Sequence, residues 1–354
     1  MKRVVVLAET ASRPLVMLVA LAHALFLAAF LATLVMLAGE ARAETAACTG
    51  VNLIPAMERD APDKVAAMRA EAAKVVNGNG LLWRIEKEGV EPSFLFGTMH
   101  MTDPRVVTLP ADAQRAFDAA STVVIETTDV LDQSKMMAVM VEAPQLMMFT
   151  DATTLGSLLD PADAAAVKAA LQERGIPLAS VNKMKPWVLS AMVALPACEL
   201  SRKAAGAPVL DVNLANEAKK AGKTVDGLET ARSQLEAMAS LPLEFHVKGL
   251  VETLKLGDKI DDVIETMLQI YLSGETGLFV PFFGAVTPES GSGSGYADFE
   301  RAMITARNAT MAQEAEAFID RGGAFIAVGA LHLPGEKGVI EELRRSGYAV
   351  SPAT

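Results

Sequence analysis

Ala324-Phe-Ile-Ala-Val-Gly-Ala-Leu-His332 opens with an unbroken apolar run, reaches glycine at Gly329, and carries a histidine three residues later. The run is too short for a stable helix and is rich in Phe, Ile and Val, so it predicts a strand buried on both faces, as in the centre of a parallel sheet. Ser93-Phe-Leu-Phe-Gly-Thr-Met-His100 repeats the device nearer the N-terminus. Each run leads through a proline-containing loop into a helix and a further strand. These are Pro110–Ala120 with Thr122-Val-Val-Ile125 in the first case, and Lys337–Arg345 with Tyr348-Ala-Val350 in the second. The fold expected is α/β: a mixed central sheet flanked by helices, built from two pseudo-symmetric βαβ-containing halves. In the first half the two strands should pair in parallel through a right-handed crossover.

Outward from these runs, Gly80–Lys87 and Ser93–Phe96 flank Glu88-Gly-Val-Glu-Pro92 and read as a hairpin. Residues 131–205 read as a mostly helical insertion between the halves. Its five methionines between Met136 and Met148 suit plastic core or lid packing better than metal ligation. Asp211 is placed to cap a helix running through Leu214 to Lys220. Thr224-Val225 then leads as a short strand into Gly227-Leu-Glu229-Thr230, and residues 232–272 are helical again. Pro288–Gly295 is a Gly/Ser tract that reads as a flexible loop, followed by one long helix from Phe299 to Asp320.

The chain has 354 residues, of which 51% are hydrophobic and 21% charged. Part of the apolar excess is local. Lys2, Arg3 and Arg13 precede the uncharged stretch Leu15–Gly39, and Ala41-Arg42-Ala43 follows as a small-x-small cleavage signal. Residues 1–43 therefore read as a secretory signal peptide, with an uncleaved membrane anchor as the alternative, and residues 44–354 as the α/β domain. The expected location is exported, periplasmic or extracytoplasmic. The net charge of −11, with no Lys/Arg cluster, argues against nucleic acid as a partner. Two cysteines, Cys48 and Cys198, suggest one disulfide in an exported protein, the alternative being two buried thiols.

After residue 43 only His100, His246 and His332 remain. Chance would put glycine three positions before at least two of three histidines in only about one or two per cent of cases, so the repeat carries information. Glycine allows a sharp exit from a strand, and open α/β sheets bind ligands beyond the carboxyl ends of their strands. Glu126 and Glu229 also follow predicted strands. Two imidazoles and one or two carboxylates gathered at strand ends suit a divalent metal with open positions for water, the ingredients of amide or ester hydrolysis. Arg307 is a candidate clamp for negative charge. Asp129 is a weaker candidate, and His246 on its helical stretch reads as structural. No H-E-x-x-H, G-x-S-x-G, Walker A or strand-linked dinucleotide motif is present.

At these residues the chain resembles the TraB/GumN family (the TraB/PrgY/GumN/Tiki superfamily), whose related members include the Tiki ectodomain proteases. The resemblance runs from Leu82-Trp83-Arg84-Ile85 through Gly97-Thr-Met-His100, Asp103-Pro104-Arg105 and Leu109-Pro110 to Val328-Gly-Ala-Leu-His332-Leu-Pro-Gly-Glu-Lys-Gly338. Lys185-Pro186-Trp187, Gly227-Leu-Glu229-Thr230 with Gln234, and Arg307-Asn308 with Met311 join it. It implies a sheet of two related halves and a site formed by His100, His332, Glu126 and Arg307. It also implies a metal-dependent, metalloprotease-like hydrolase. The resulting expectation is that His100, His332 and Glu126 bind manganese, cobalt or zinc, and that Glu126, Glu229 and Arg307 serve catalysis on a peptide or small-molecule substrate. A non-catalytic haem- or metal-binding envelope protein of related fold is the alternative.

Overall fold

The computed structural model describes residues 48–287 and 294–353. The expected export segment and most of the Gly/Ser tract lie outside them, although Ser294 and Gly295 already open a helix that ends at Phe299. A six-stranded mixed sheet contains β1 (Leu82–Glu86), β2 (Ser93–Thr98), β3 (Thr122–Ile125), β4 (Thr224–Gly227), β5 (Ala324–Gly329) and β6 (Ala349–Pro352). Their order across the sheet is β4-β3-β5-β2-β1-β6. β1 and β2 form the expected antiparallel hairpin, with Leu82 opposite Phe96.

The pairing expected of the first half does not occur. β5 lies between β2 and β3 and bonds in parallel to both, Gly97 pairing with Val328 and Ile125 with Ala327. The reason is hydrophobic: the side chains of β5 from Ala324 to Val328 are buried on both faces, and a strand with no polar side belongs in the centre. The exchange sets the two Gly-x-x-His strands side by side.

Strand side chains alternate between two apolar layers, as a period of two requires. Phe96, Val123, Ile125, Phe325 and Ala327 face α1 (Ala111–Ala119), α2 (Leu210–Lys220) and the helix Lys259–Leu272. Downstream of α2, α3 (Ala231–Ala239) and α4 (Leu243–Leu256) lead to α5 (Lys259–Leu272). Leu95, Val124, Ile326 and Val328 face α6 (Ala306–Ile319) and α7 (Val339–Arg345) on the other side. The long helix expected over 299–320 is divided, because Glu300–Thr305 winds as a π-helix immediately before α6. Short helices between Gln133 and Ala204 pack partly around a separate cluster of Leu155, Leu171, Leu189 and Leu250. The methionine-rich helix Gln133–Glu142 buries none of its residues, and Met137, Met140 and Met148 are exposed. With Met136 and Met147 half-buried and none fully buried, that cluster is not core. Among the described residues no helix is long and apolar enough to cross a membrane.

Cys48 and Cys198 are joined by a disulfide, closing a separation of 150 residues. The bond fastens the segment that leads to β1, where Val51 N–H donates to Asp262 and Leu53 N–H to Thr266. Beside Cys198, the fully buried Glu199 accepts from Thr102 N–H and Oγ1, both at 2.8 Å, so the same staple steadies the loop just after His100. Cys48→Ala with Cys198→Ala should lower the unfolding free energy by about 2–4 kcal/mol, since a long closed loop regains its freedom in the unfolded chain. Urea titration with and without reductant measures this, and identical midpoints would refute it.

Candidate active site

β2, β3, β4 and β5 run parallel, so their carboxyl ends share one edge of the sheet. His100, Glu126, Glu229 and His332 all follow those ends. The two glycines of the repeat are there for space, not for unusual backbone angles. Neither has a positive φ, and Gly329 sits at φ −53°, ψ 136°, open to any residue. A Cβ at Gly97 would meet Leu333 Cδ1 at 2.7 Å and Ala330 Cα at 3.2 Å. At Gly329 it would lie 3.2 Å from Glu126 Oε1, 3.4 Å from His332 Cδ2 and 3.9 Å from His100 Nε2. The first glycine permits close packing, and the second keeps clear a point around which two imidazoles and a carboxylate are gathered.

Each imidazole is held from behind. His100 Nδ1 lies 2.9 Å from Asp211 Oδ2, and the other Asp211 oxygen accepts from Thr98 Oγ1 at 2.9 Å. His332 Nδ1 lies 2.6 Å from Asn308 Oδ1, while Asn308 Nδ2 donates to the Lys337 carbonyl at 2.7 Å. His332 is buried at the floor, whereas the His100 side chain is 57% exposed at the rim.

Glu126 is the junction of the cluster. Its Oε1 accepts from Gly329 N–H at 2.7 Å and lies 3.8 Å from His332 Nε2. Its Oε2 accepts from Arg307 Nη2 at 2.7 Å and from Gln234 Nε2 at 3.0 Å. Glu229 binds Arg307 from the other side through Nε and Nη2, the shorter bond being 2.6 Å, and it also accepts from Gln234. Its carboxylate is thus spent on the guanidinium and the amide. Glu126 is buried, and Arg307 and Glu229 are half-buried residues whose side chains keep only 12% and 4% of their exposure.

The charges follow from these contacts. Burial opposes ionisation of Glu126, but His332, His100, Arg307 and the Gly329 N–H outweigh it and hold its pKa down at about 2. Burial pushes His332 down to about 4, against the pull of Glu126. The Asp211 carboxylate raises His100 to about 9. Both depressed groups make acid destabilising. Between pH 6.5 and 4 the unfolded chain takes up a proton at His332 that the folded chain refuses. Between 4.5 and 2 the same holds for Glu126. Stability of the metal-free protein should therefore fall as pH drops from 6.5, and His332→Gln should flatten the limb between 6.5 and 4. Parallel denaturation curves for the two proteins across that limb would contradict the assignment.

A cavity of about 280 Å³ opens over the cluster. Thr98, His100, Glu126, Arg307 and His332 supply its polar lining, and Met99, Met238, Met267, Met303, Phe279 and Phe299 its apolar walls. Among the described residues no group of three or more His, Cys, Asp or Glu stands at metal-ligand spacing. The donors still suit a divalent cation in kind: imidazoles anchored through Nδ1, and a carboxylate oxygen beside the cleared point at Gly329.

Two other sequence candidates lie elsewhere in role. Asp129 accepts from Ala231 N–H and pairs with Lys135, capping α3. His246, as expected, is structural, its Nε2 donating to the Met238 carbonyl. Asp211, expected as a helix cap, lies inside the first turn of α2 and turns its carboxylate to Thr98 and His100 instead. The clue was present in the pattern, since Asp211 falls on the same helical stripe as Leu214, Ala215 and Ala218. Asn308 likewise shares the stripe of Met311, Ala312 and Ala315. A polar residue on an apolar stripe needs a buried partner.

The sheet and its strand-end cluster of two histidines, two glutamates and an arginine define an α/β protein with a polar site at a parallel edge. The model of the TraB/PrgY/gumN family matches residues 81–352, and the chain belongs to that family. Metalloprotease TIKI1 of Danio rerio is 26% identical over 318 residues, 77% of this chain and 63% of that protein. Metalloprotease TIKI2 of Danio rerio is 25% identical over 322 residues, covering 77% and 60%. Metalloprotease TIKI1 of Homo sapiens is 24% identical over 322 residues, covering 78% and 62%. The chain thus spans about three fifths of the length of these relatives. No solved structure matches it significantly.

Proposed function

We propose that this chain is an exported metallopeptidase in which His100, His332 and Glu126 hold a divalent cation, manganese, cobalt or zinc. The observation that carries the reading is the gathering of these three side chains around the point kept clear by Gly329, beneath an apolar cavity. The names of the relatives support the same chemistry. A cation held there would supply acidity to water and polarise a carbonyl.

The remaining roles belong to the chain. Glu126, held ionised far below neutrality, is too weak a base to carry protons efficiently and serves as an anionic corner. Arg307 balances Glu126 and Glu229 and places a positive charge beside the position where negative charge develops on a substrate carbonyl. Glu229 and Gln234 orient that guanidinium. The methionine and phenylalanine walls accept a large apolar side chain and exclude water around it. The Cys48–Cys198 bond supports an oxidising, extracytoplasmic location.

The test is cleavage of a peptide library by the purified protein with manganese, cobalt or zinc. Cleavage beside bulky apolar residues, lost on chelation and restored by the metal, is expected. Glu126→Gln should slow it by about tenfold to a hundredfold. Cleavage indifferent to both chelation and Glu126→Gln would overturn the reading. The absorbance spectrum after incubation with haem separates the haem-binding alternative, since no Soret complex is expected.

A further inference from the structure

We propose that Asp211 and Asn308 are positioning residues that hold the Nδ1–H of His100 and of His332, so that both Nε2 atoms face the cavity. The inference rests on the metal-site reading for its purpose, but its evidence is independent of any cation.

The tautomer of His332 follows from a chain of obligatory partners. The Lys337 carbonyl can only accept, so the atom of Asn308 that lies 2.7 Å from it is the amide nitrogen. The other end of the amide, 2.6 Å from His332 Nδ1, is then the oxygen, and Nδ1 must donate. With Nδ1 protonated, the neutral ring carries its lone pair on Nε2, the nitrogen that faces Glu126. Asp211 imposes the same orientation on His100 by different means. One carboxylate oxygen accepts from Thr98 Oγ1, and the other faces Nδ1 at 2.9 Å and can only accept. One histidine is therefore backed by a charge and the other by a neutral amide, on helices from opposite faces of the sheet.

This difference makes the two positions non-interchangeable. In Asp211→Asn the amide oxygen can still accept from His100, and its NH2 can donate to Thr98 Oγ1, so only the charge is lost. In Asn308→Asp an oxygen replaces the nitrogen that faces the Lys337 carbonyl, and two acceptors confront each other in a buried site. The side chain must turn or take up a proton, and the fixed acceptor behind His332 is lost.

Two measurements on the purified protein decide the matter, with thermal melting confirming that each variant is folded. Long-range proton–nitrogen NMR of the histidine rings at neutral pH should show His332 with a bare Nε2 in the parent, and mixed tautomers in Asn308→Leu. Zinc affinity by chelator competition should fall by about tenfold in Asp211→Asn and about a hundredfold in Asn308→Asp. A parent His332 protonated on Nε2, or equal zinc affinity in parent and both variants, would overturn the proposal. If the parent binds no zinc yet shows the Nδ1–H tautomer, the metal-site reading fails while the positioning assignment stands.

Discussion

On the metallopeptidase reading, Gly329→Ala should leave a folded protein that cleaves peptide at least about a hundredfold more slowly than the parent. The backbone at Gly329 is ordinary for alanine, and its N–H would still donate to Glu126. The added methyl, however, takes the point around which Glu126 Oε1, His332 Cδ2 and His100 Nε2 lie within 3.9 Å. A displacement of about 1 Å among reacting groups is enough for a loss of that size. Gly97→Ala gives the contrast. Its methyl would press on Leu333 and Ala330, so the cost should be overpacking, about 1–3 kcal/mol of stability. Denaturant melts and chelator-sensitive cleavage, measured on both variants, test the pair. Full activity in Gly329→Ala would place the reacting centre elsewhere.

Arg307→Met should lower the unfolding free energy at neutral pH by about 3–5 kcal/mol, the usual penalty for removing one partner from a buried ion pair. Arg307 is the guanidinium that bridges Glu126 and Glu229, and both carboxylates are buried. Without it the two anions share only the Gln234 amide. The penalty should shrink in acid, because a proton on either carboxylate removes the repulsion. Arg307→Lys should recover part of the stability, but a single ammonium cannot reproduce the fork that reaches both glutamates. Urea titrations at pH 7 and pH 4 check the prediction, and a loss below about 1 kcal/mol at pH 7 would show that the ion pairs do not hold the site together.

Much of this protein could be read residue by residue. The apolar runs before Gly97 and Gly329 become strands, Thr122–Ile125 and Thr224–Gly227 do the same, and the cysteines pair. What failed to read correctly depended on distant partners. The first half was expected to close on itself, yet β5 takes the place beside β3, because the competition for the centre is decided by burial on both faces. Of the core or lid packing that suited the methionines of Gln133–Glu142, the core reading fails, since hydrophobicity alone does not say which face finds a neighbour. Asp211 looked like a cap, because aspartate near a helix start has that local use.

By itself the sequence determined the strands and the four strand-end positions of the polar cluster, His100, Glu126, Glu229 and His332, because a period of two and the placement of glycine are local properties. Tertiary structure alone decided that β2 and β5 lie side by side, that Arg307 from a distant helix enters between two glutamates, and that each histidine is fixed by a polar residue from an otherwise apolar helix stripe. The physical reason is that hydrogen-bond partnership inside a core is a matter of a few tenths of an ångström between residues far apart in the chain.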